Sequence, residues 1–256
     1  MIYKNKKKTE NKENIEIYGV HPVIAALKNN TRIHQKLIIT HQNSSLIDQE
    51  IKKKVNKISI ISKGEMSNIY GGLNVHQGII LITSRLQQPD LEEIIQKSKN
   101  NKEEIVVMLD HITDPHNIGS IMRSCALFNC KSIIVSKNNS PDITSSMTKT
   151  ASGAIEIVNY IKVKNLSRAI DKFKKNNFWV YGLDNNNKLN FNKTDLPKKI
   201  LLILGSEGKG LRKLTKNKCD GLISIPIKKN SLFKIESLNV SNACSIFLYE
   251  YYKKNI

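Results

Sequence analysis

EEIVVMLDHITDPHNIGSIMRSCALFNCKSIIVS, residues 103–136, decides the architecture. Ile105 to Leu109 is an uninterrupted apolar run of strand length. A polar loop follows, then a helical stretch from Ile118 to Phe128, then a second apolar strand from Ser132 to Ser136. Strands that are apolar throughout, rather than alternating, are what a sheet covered on both faces requires, and a helix between them makes the pair parallel. The alternation continues downstream with a strand over Ile155 to Val163, a helix over Leu166 to Asn176, and strands over Phe178 to Leu183 and Ile200 to Leu204. A helix over Leu211 to Lys218, a short strand over Leu222 to Ile225 and a helix over Val240 to Tyr252 complete it. The expected class is α/β with a mostly parallel sheet, whose ligands lie at the carboxyl ends of the strands.

The 256 residues exceed one ordinary small domain and suit two. Residues 15–85 read as a compact α/β module. Pro22 suits a first helical turn over His21 to Lys28, Leu37 to Thr40 is a strand, and Ser45 to Lys57 is a helical stretch. Ile58 to Ser62 and Gly78 to Ser84 are further strands, with a turn at Gly71 and Gly72. Residues 86–103 read as a linker holding a short helix from Asp90 to Lys97, residues 104–256 as a second domain, and residues 1–14 as a solvated basic tail.

Composition narrows the classes. With 39% hydrophobic and 25% charged residues the chain has the material for a core, which excludes wholesale disorder. No apolar run approaches the roughly 18 residues of a membrane span, so no membrane role is expected. The first fourteen residues lack the apolar centre of a secretory signal, and Glu10 and Glu13 argue against a transit peptide. Cys125, Cys130, Cys219 and Cys244 show no CxxC spacing, so unpaired thiols in a reducing compartment are expected, a cytoplasm or an organelle interior. His76, His111 and His116 have no metal-ligand spacing, so no metal is expected, and for His111 and His116, beside the first motif, loop packing or RNA contact is the reading. The net charge of +19 favours a polyanionic partner such as nucleic acid, although the abundance of Lys, Asn and Ile also fits compositional drift. Residues 15–85 carry +5 and residues 104–256 carry +12, so both modules are basic.

Three loops at strand ends carry polar groups in unusual density. In LDHITDPHNIGSIMRSC, residues 109–125, Asn117 stands where a helix cap belongs, Gly119 permits close backbone approach, and Arg123 follows six residues on. Arg123 is one of five arginines against 36 lysines, so its planar fork suits either a phosphate grip or a buried ion pair. In LLILGSEGKGL, residues 201–211, Gly205, Gly208 and Gly210 present Glu207 between a strand and a helix. That spacing is neither the dinucleotide fingerprint nor the ATP phosphate loop, and by itself also fits a plain tight turn. In SIPIKKNSLFKIESLNVSNA, residues 224–243, Ser237, Asn239 and Ser241 surround the start of the last helix, where capping is the competing explanation.

N-x-G-x-x-x-R at Asn117 to Arg123, LGSEGKG at Leu204 to Gly210 and SLNVS at Ser237 to Ser241, in this order, resemble the three motifs of the SpoU (TrmH) family of RNA ribose 2′-O-methyltransferases. IYGVHPVIAAL at residues 17–27 and HQGIILI at 76–82 resemble the L30e-like RNA-binding domain of the subgroup that modifies a guanosine of 23S rRNA. The resemblance implies a SPOUT α/β-knot fold, with a deep trefoil knot at the carboxyl end of the sheet that binds S-adenosylmethionine. It implies that Arg123, with Asn117, engages the target phosphate and ribose and helps remove the 2′-hydroxyl proton, in a pocket shaped by Glu207, Ser237 and Asn239. Gly205, Ile225 and Leu238 are implied as backbone contacts to the cofactor, with Leu183 and Asp184 near its edge. Relatives are dimers with the site at the subunit interface, and the last helix, with Ala243, Ile246, Phe247 and Tyr249, suits that contact. One departure stands out: IKKNSLFKIE, residues 227–236, is longer than the glycine-containing turn usual there and has no glycine.

The expected function is therefore methylation of a guanosine ribose 2′-oxygen in large-subunit rRNA. A tRNA ribose methyltransferase of the same family, and a noncatalytic RNA-binding or ribosome-assembly factor on the same scaffold, are the competing readings.

Overall fold

The computed structural model describes residues 14–184, 196–228 and 237–255. The expected basic tail thus lies outside the described residues except for Asn14, as does most of the lengthened loop at 227–236. The chain divides into two compact units, Met1–Gln87 and Gln88–Ile256.

The first unit contains β1 (Asn14–Tyr18), α1 (Val20–Lys28), β2 (His34–Thr40), α2 (Gln49–Lys53), β3 (Val55–Ile61), α3 (Lys63–Tyr70), α4 (Leu73–His76) and β4 (Ile79–Ser84). Its sheet runs β1-β4-β2-β3, antiparallel at β4 and parallel between β2 and β3. The helix expected over Ser45 to Lys57 is instead a 3₁₀ turn at His41–Leu46, the short α2 and the first half of β3. Asp48 stops the 3₁₀ segment by capping α2 through Ile51 N–H at 2.8 Å, and ladder pairing to β2 claims the residues from Val55 onward. α3 has little signal in the sequence: its Ser62 cap precedes a helix with one buried side chain, Met66. His76 is fully structural: its Nδ1 accepts from Gly78 N–H at 3.0 Å, while Nε2 reaches the Gly71 carbonyl at 2.9 Å.

The second unit opens with α5 (Leu91–Ser98), started by an Asp90–Glu93 capping box. There follow β5 (Glu104–Asp110), α6 (Pro115–Leu127), β6 (Ser132–Ser136), α7 (Ser145–Ala151), β7 (Asn159–Val163), α8 (Leu166–Lys174) and β8 (Trp179–Leu183). β9 (Lys199–Gly205), α9 (Lys213–Lys216), β10 (Gly221–Ile223) and α10 (Val240–Lys254) end it. The six strands run β10-β8-β9-β5-β6-β7, every neighbouring pair parallel. The apolar strands now have their reason. In β5, Ile105, Val107 and Leu109 face a core built with α6 and α10, while Val106 and Met108 face a second core built with α5 and α8. β9 divides likewise, with Ile200, Leu202 and Leu204 on one side and Leu201 and Ile203 on the other. α5 thus covers one face of the sheet with Leu91, Ile94 and Ile95.

The strand expected over Ile155 to Val163 begins only at Asn159; Ala154–Glu156 is a 3₁₀ turn, entered through Ser152 at φ 53° and Gly153 at φ 95°. The helix α7, SSMTKTA, is largely polar in sequence; it buries Met147 and Ala151 in the core and lies directly against Gly119 of α6. A Cβ at Gly119 would stand 2.7 Å from the Met147 carbonyl oxygen and 2.9 Å from Thr150 Cβ. The close approach that this glycine permits is therefore helix to helix. Gly119→Ala forces α7 away from α6 and is expected to cost roughly 1–3 kcal/mol of stability, read as a lower urea midpoint at unchanged slope.

Candidate active site

The site is assembled where the strand order turns back on itself. β9 returns to lie beside β5 in full register, pairing Asp110 with Gly205 at the carboxyl end. Crevices at such reversals are where open parallel sheets place ligands. The loops that follow these two strands are thereby fixed side by side.

After β9, the chain turns sharply: Gly210 N–H donates to the Ser206 carbonyl at 2.8 Å, with Gly208 at φ 79° and Gly210 at φ 63°. Those angles favour glycine. Gly205 has a different reason, because a Cβ there would sit 2.2 Å from the carbonyl carbon of Gly210. The turn folds back onto the strand end and presents Glu207. After β5, Asp114 caps α6 by accepting from His116 N–H at 3.0 Å, with Pro115 in the first turn. This corrects the expectation that Asn117 is the cap: Asn117 lies inside the first turn, and its amide is free to reach outward. Asn239 does cap α10, accepting from Ser241 N–H at 2.9 Å. Capping and site building are not alternatives for Asn239, since Oδ1 caps while Nδ2 points into the site.

The three motifs meet in one network. Asn239 Nδ2 donates to Glu207 Oε1 at 2.7 Å and to Asn117 Oδ1 at 2.9 Å, and Asn117 Nδ2 donates to the same Glu207 oxygen at 3.3 Å. Val240 N–H points at that oxygen from 3.5 Å, so the carboxylate lies at the positive end of the 15-residue α10. The structure does not bring the other two expected residues of this pocket into the network. Arg123 is exposed on α6, with no hydrogen bond or ion pair to any described residue, and Ser237 is exposed two residues before the cap. The buried ion pair considered for Arg123 is made by another arginine.

That arginine is Arg212, which none of the three motifs includes. Asp110, fully buried at the end of β5, accepts from Arg212 Nε at 2.8 Å, Thr215 Oγ1 at 2.7 Å, His111 Nδ1 at 2.9 Å and Arg212 N–H at 3.4 Å. Burial pushes its carboxyl upward, but the Thr215 and His111 hydrogen bonds and the Arg212 charge outweigh burial and hold it below the ordinary carboxylate value. A sequence signal existed: an acid closing an apolar strand, and a second scarce arginine beyond Gly210. Next to this clamp lies an open cleft of about 1030 Å³, bordered by His111, Asn138, Ser140, Glu207, Lys209 and Arg212 among others.

Positions expected to hold the cofactor gather at the same sheet end, because β10, β8 and β9 are neighbours there. Asp184 N–H donates to the Ile223 carbonyl at 3.0 Å, Leu183 packs against the core, and Ile225 and Leu238 are half-buried. Backbone edges with apolar side chains fit a nucleoside with an aliphatic tail. The Asp184 carboxylate itself is paired with Lys216. Among the described residues no group of three His, Cys, Asp or Glu is placed to hold a metal ion. His116 is exposed, with its ring nitrogens hydrogen-bonded to Thr150 Oγ1 at 3.2 Å and Ser146 Oγ at 3.1 Å.

A doubly covered parallel sheet with three polar loops joined at its carboxyl end defines an α/β enzyme domain with its pocket in those loops. Residues 104–249 match the SpoU rRNA methylase family, and residues 17–89 match the RNA 2′-O ribose methyltransferase substrate-binding family. The chain belongs to the SpoU rRNA methylase family and is an S-adenosylmethionine-dependent RNA 2′-O-methyltransferase. It is 33% identical over 242 residues to the 23S rRNA (guanosine-2′-O-)-methyltransferase RlmB of Coxiella burnetii, covering 91% of this chain and 93% of that one. It is 32% identical over 244 residues to a Staphylococcus epidermidis protein whose name places it among TrmH family tRNA/rRNA methyltransferases, covering 94% and 96%. The AdoMet-bound rRNA methyltransferase from Sinorhizobium meliloti shares the fold at a TM-score of 0.77 and 20% identity, covering 95% of this chain and 88% of that one.

The Asp110 clamp carries a pH signature. A folded-state pKa below the unfolded value contributes stability above roughly pH 4 that is lost as pH falls through the folded value. Asp110→Asn is expected to lower stability at pH 7 and to flatten its decline between roughly pH 5 and pH 2, as measured by urea melts across that range.

Proposed function

We propose that the chain transfers a methyl group to the ribose 2′-oxygen of a guanosine in 23S rRNA. The observation that carries this reading is the Asn117–Glu207–Asn239 network, which ties three separate loops into one polar pocket at the sheet end. The substrate assignment is supported by near full-length similarity to the Coxiella burnetii enzyme, amino-terminal module included. A tRNA target is the second reading, favoured by the Staphylococcus epidermidis relative, whose name spans both RNAs.

S-adenosylmethionine, when bound, supplies an electrophilic methyl group on a sulfonium. The remaining work falls to the chain. Backbone groups of Gly205, Ile225 and Leu238 would hold the cofactor, with Leu183 and Asp184 at its edge, in the trefoil knot that the resemblance to the family implies. Arg123 grips the target phosphate with its guanidinium fork. An arginine keeps its proton at neutral pH, so its contribution is electrostatic: it lowers the cost of the developing alkoxide rather than acting as a strong base. Glu207, Ser237 and Asn239 would shape the pocket, and Asn117 would orient the ribose so that the 2′-oxygen lies in line with the methyl–sulfur bond, the sulfonium leaving as a neutral thioether and the hydroxyl proton passing to solvent. The exposure of Arg123, without a partner among the described residues, suits a group that waits for substrate.

Homodimerisation belongs to the same proposal. Leu127, Ile246, Tyr249 and Tyr252 are exposed on α6 and α10, with Phe128 edge-on to Tyr249 at 6.0 Å, an apolar surface that suits a second copy. All four cysteines are free thiols, which suits a reducing cytoplasm.

Arg123→Ala is expected to bind in vitro transcribed 23S rRNA within a few-fold of wild type while losing methyl transfer. Mapping of 2′-O-methyl marks in RNA from cells with and without the protein assigns the target. A mark lost from tRNA and retained in 23S rRNA would overturn the first reading in favour of the second.

A further inference from the structure

The Asp110 clamp uses only part of Arg212. Nε and the backbone N–H face the buried carboxylate, yet no described residue engages Nη1 or Nη2, and 48% of the side chain is exposed. An arginine tied down on one edge, with its remaining donors open to a cleft, is pre-organised to grip a planar or tetrahedral anion. Lys209 and Lys213 border the same cleft, and neither pairs with a described carboxylate. A second, independent observation comes from Ser140. Ser140 borders this cleft, and its Oγ is buried with no hydrogen-bond partner among the described residues, a rare condition for a buried hydroxyl. The Ser140 loop is itself held, since Lys162 Nζ donates to the Ser140 carbonyl at 3.2 Å and to Asp142 at 2.6 Å. Among the described residues the one carboxylate bordering the cleft, Glu207, has an oxygen already occupied by Asn117 and Asn239.

We infer that this cleft seats a backbone phosphodiester of the RNA strand flanking the target nucleotide, gripped by Arg212 and Ser140, with Asp110 as the positioning residue that aims the guanidinium. The phosphate is a second one, distinct from that assigned to Arg123, and the inference rests on the RNA methyltransferase reading. Buried charge explains why the clamp is built this way. A lysine at position 212 has a single ammonium, which cannot serve the Asp110 carboxylate and a phosphate several ångströms away at once, whereas a guanidinium spans both. The same donors also suit the carboxylate of the methionine moiety of the cofactor, so the two sources must be separated by experiment.

The test uses the full chain, in vitro transcribed 23S rRNA and S-adenosylmethionine, with RNA affinity measured across a salt series and cofactor affinity by calorimetry. Arg212→Ala is expected to weaken RNA binding about tenfold and to reduce the slope of log affinity against log salt by about 0.7 to 0.9, one phosphate contact, with cofactor affinity unchanged. Arg212→Lys is expected not to restore RNA affinity. Asp110→Asn is expected to raise the RNA KM without changing cofactor affinity. Ser140→Ala removes an oxygen that makes no bond in the folded chain, so it keeps the wild-type melting temperature and is expected to lose RNA affinity several-fold. Wild-type RNA affinity and salt slope in both Arg212→Ala and Ser140→Ala overturns the inference, as does a loss confined to cofactor affinity. Failure of the wild-type chain to methylate the transcript would instead count against the 23S rRNA assignment, leaving the salt slopes to decide the phosphate site.

Discussion

The parallel pairing of β5 with β9 is the constraint on which the rest of the second unit depends. Seven residues of each strand run in register, burying alternate side chains in two different cores, and the last pair is Asp110 with Gly205. Because that register is held by both cores, the two loops beyond it have no freedom to drift. Asp110 then turns the sheet end into an anchor, fastening the chain beyond Gly210 to the loop before α6 through Arg212, Thr215 and His111. A buried carboxylate without such donors would be strongly unfavourable, so the anchor and its partners stand or fall together.

Placed on that anchor, a few polar atoms serve two purposes each. Asn239 caps α10 with its oxygen and joins Glu207 to Asn117 with its nitrogen. The start of the last helix is therefore also the closing element of the pocket. Gly205 and Gly119 serve by what they lack: one lets a turn lie on the strand end, and the other lets α7 lie on α6. These are the means by which residues more than a hundred positions apart reach hydrogen-bonding distance.

The elements legible in the sequence are those with a strong local signal. The apolar runs at Ile105 to Leu109 and Ile200 to Leu204, and the helix beginning at Val240, appear close to where the residues place them. Those missed carry little apolar periodicity. α7 is short and buries only Met147, Thr148 and Ala151, and α3 buries only Met66. The stretch Ser45 to Lys57 misled because lysine-rich residues suit a helix, whereas pairing with β2 drew Val55 to Lys57 into a strand. At the site, motif order identifies Asn117, Glu207 and Asn239, but it does not separate Asn117 from the true cap of α6, Asp114, three residues earlier.

The sequence by itself determined that the chain is an α/β protein with a basic surface, with three polar loops at strand ends of the kind found in RNA ribose methyltransferases. Those features lie in local composition, periodicity and motif spacing. Only the tertiary structure decided which arginine is anchored and which is left open. Arg123 and Arg212 are equally scarce, but whether a guanidinium meets a buried carboxylate depends on strand order, and strand order is a property of long-range packing that no short window of sequence contains.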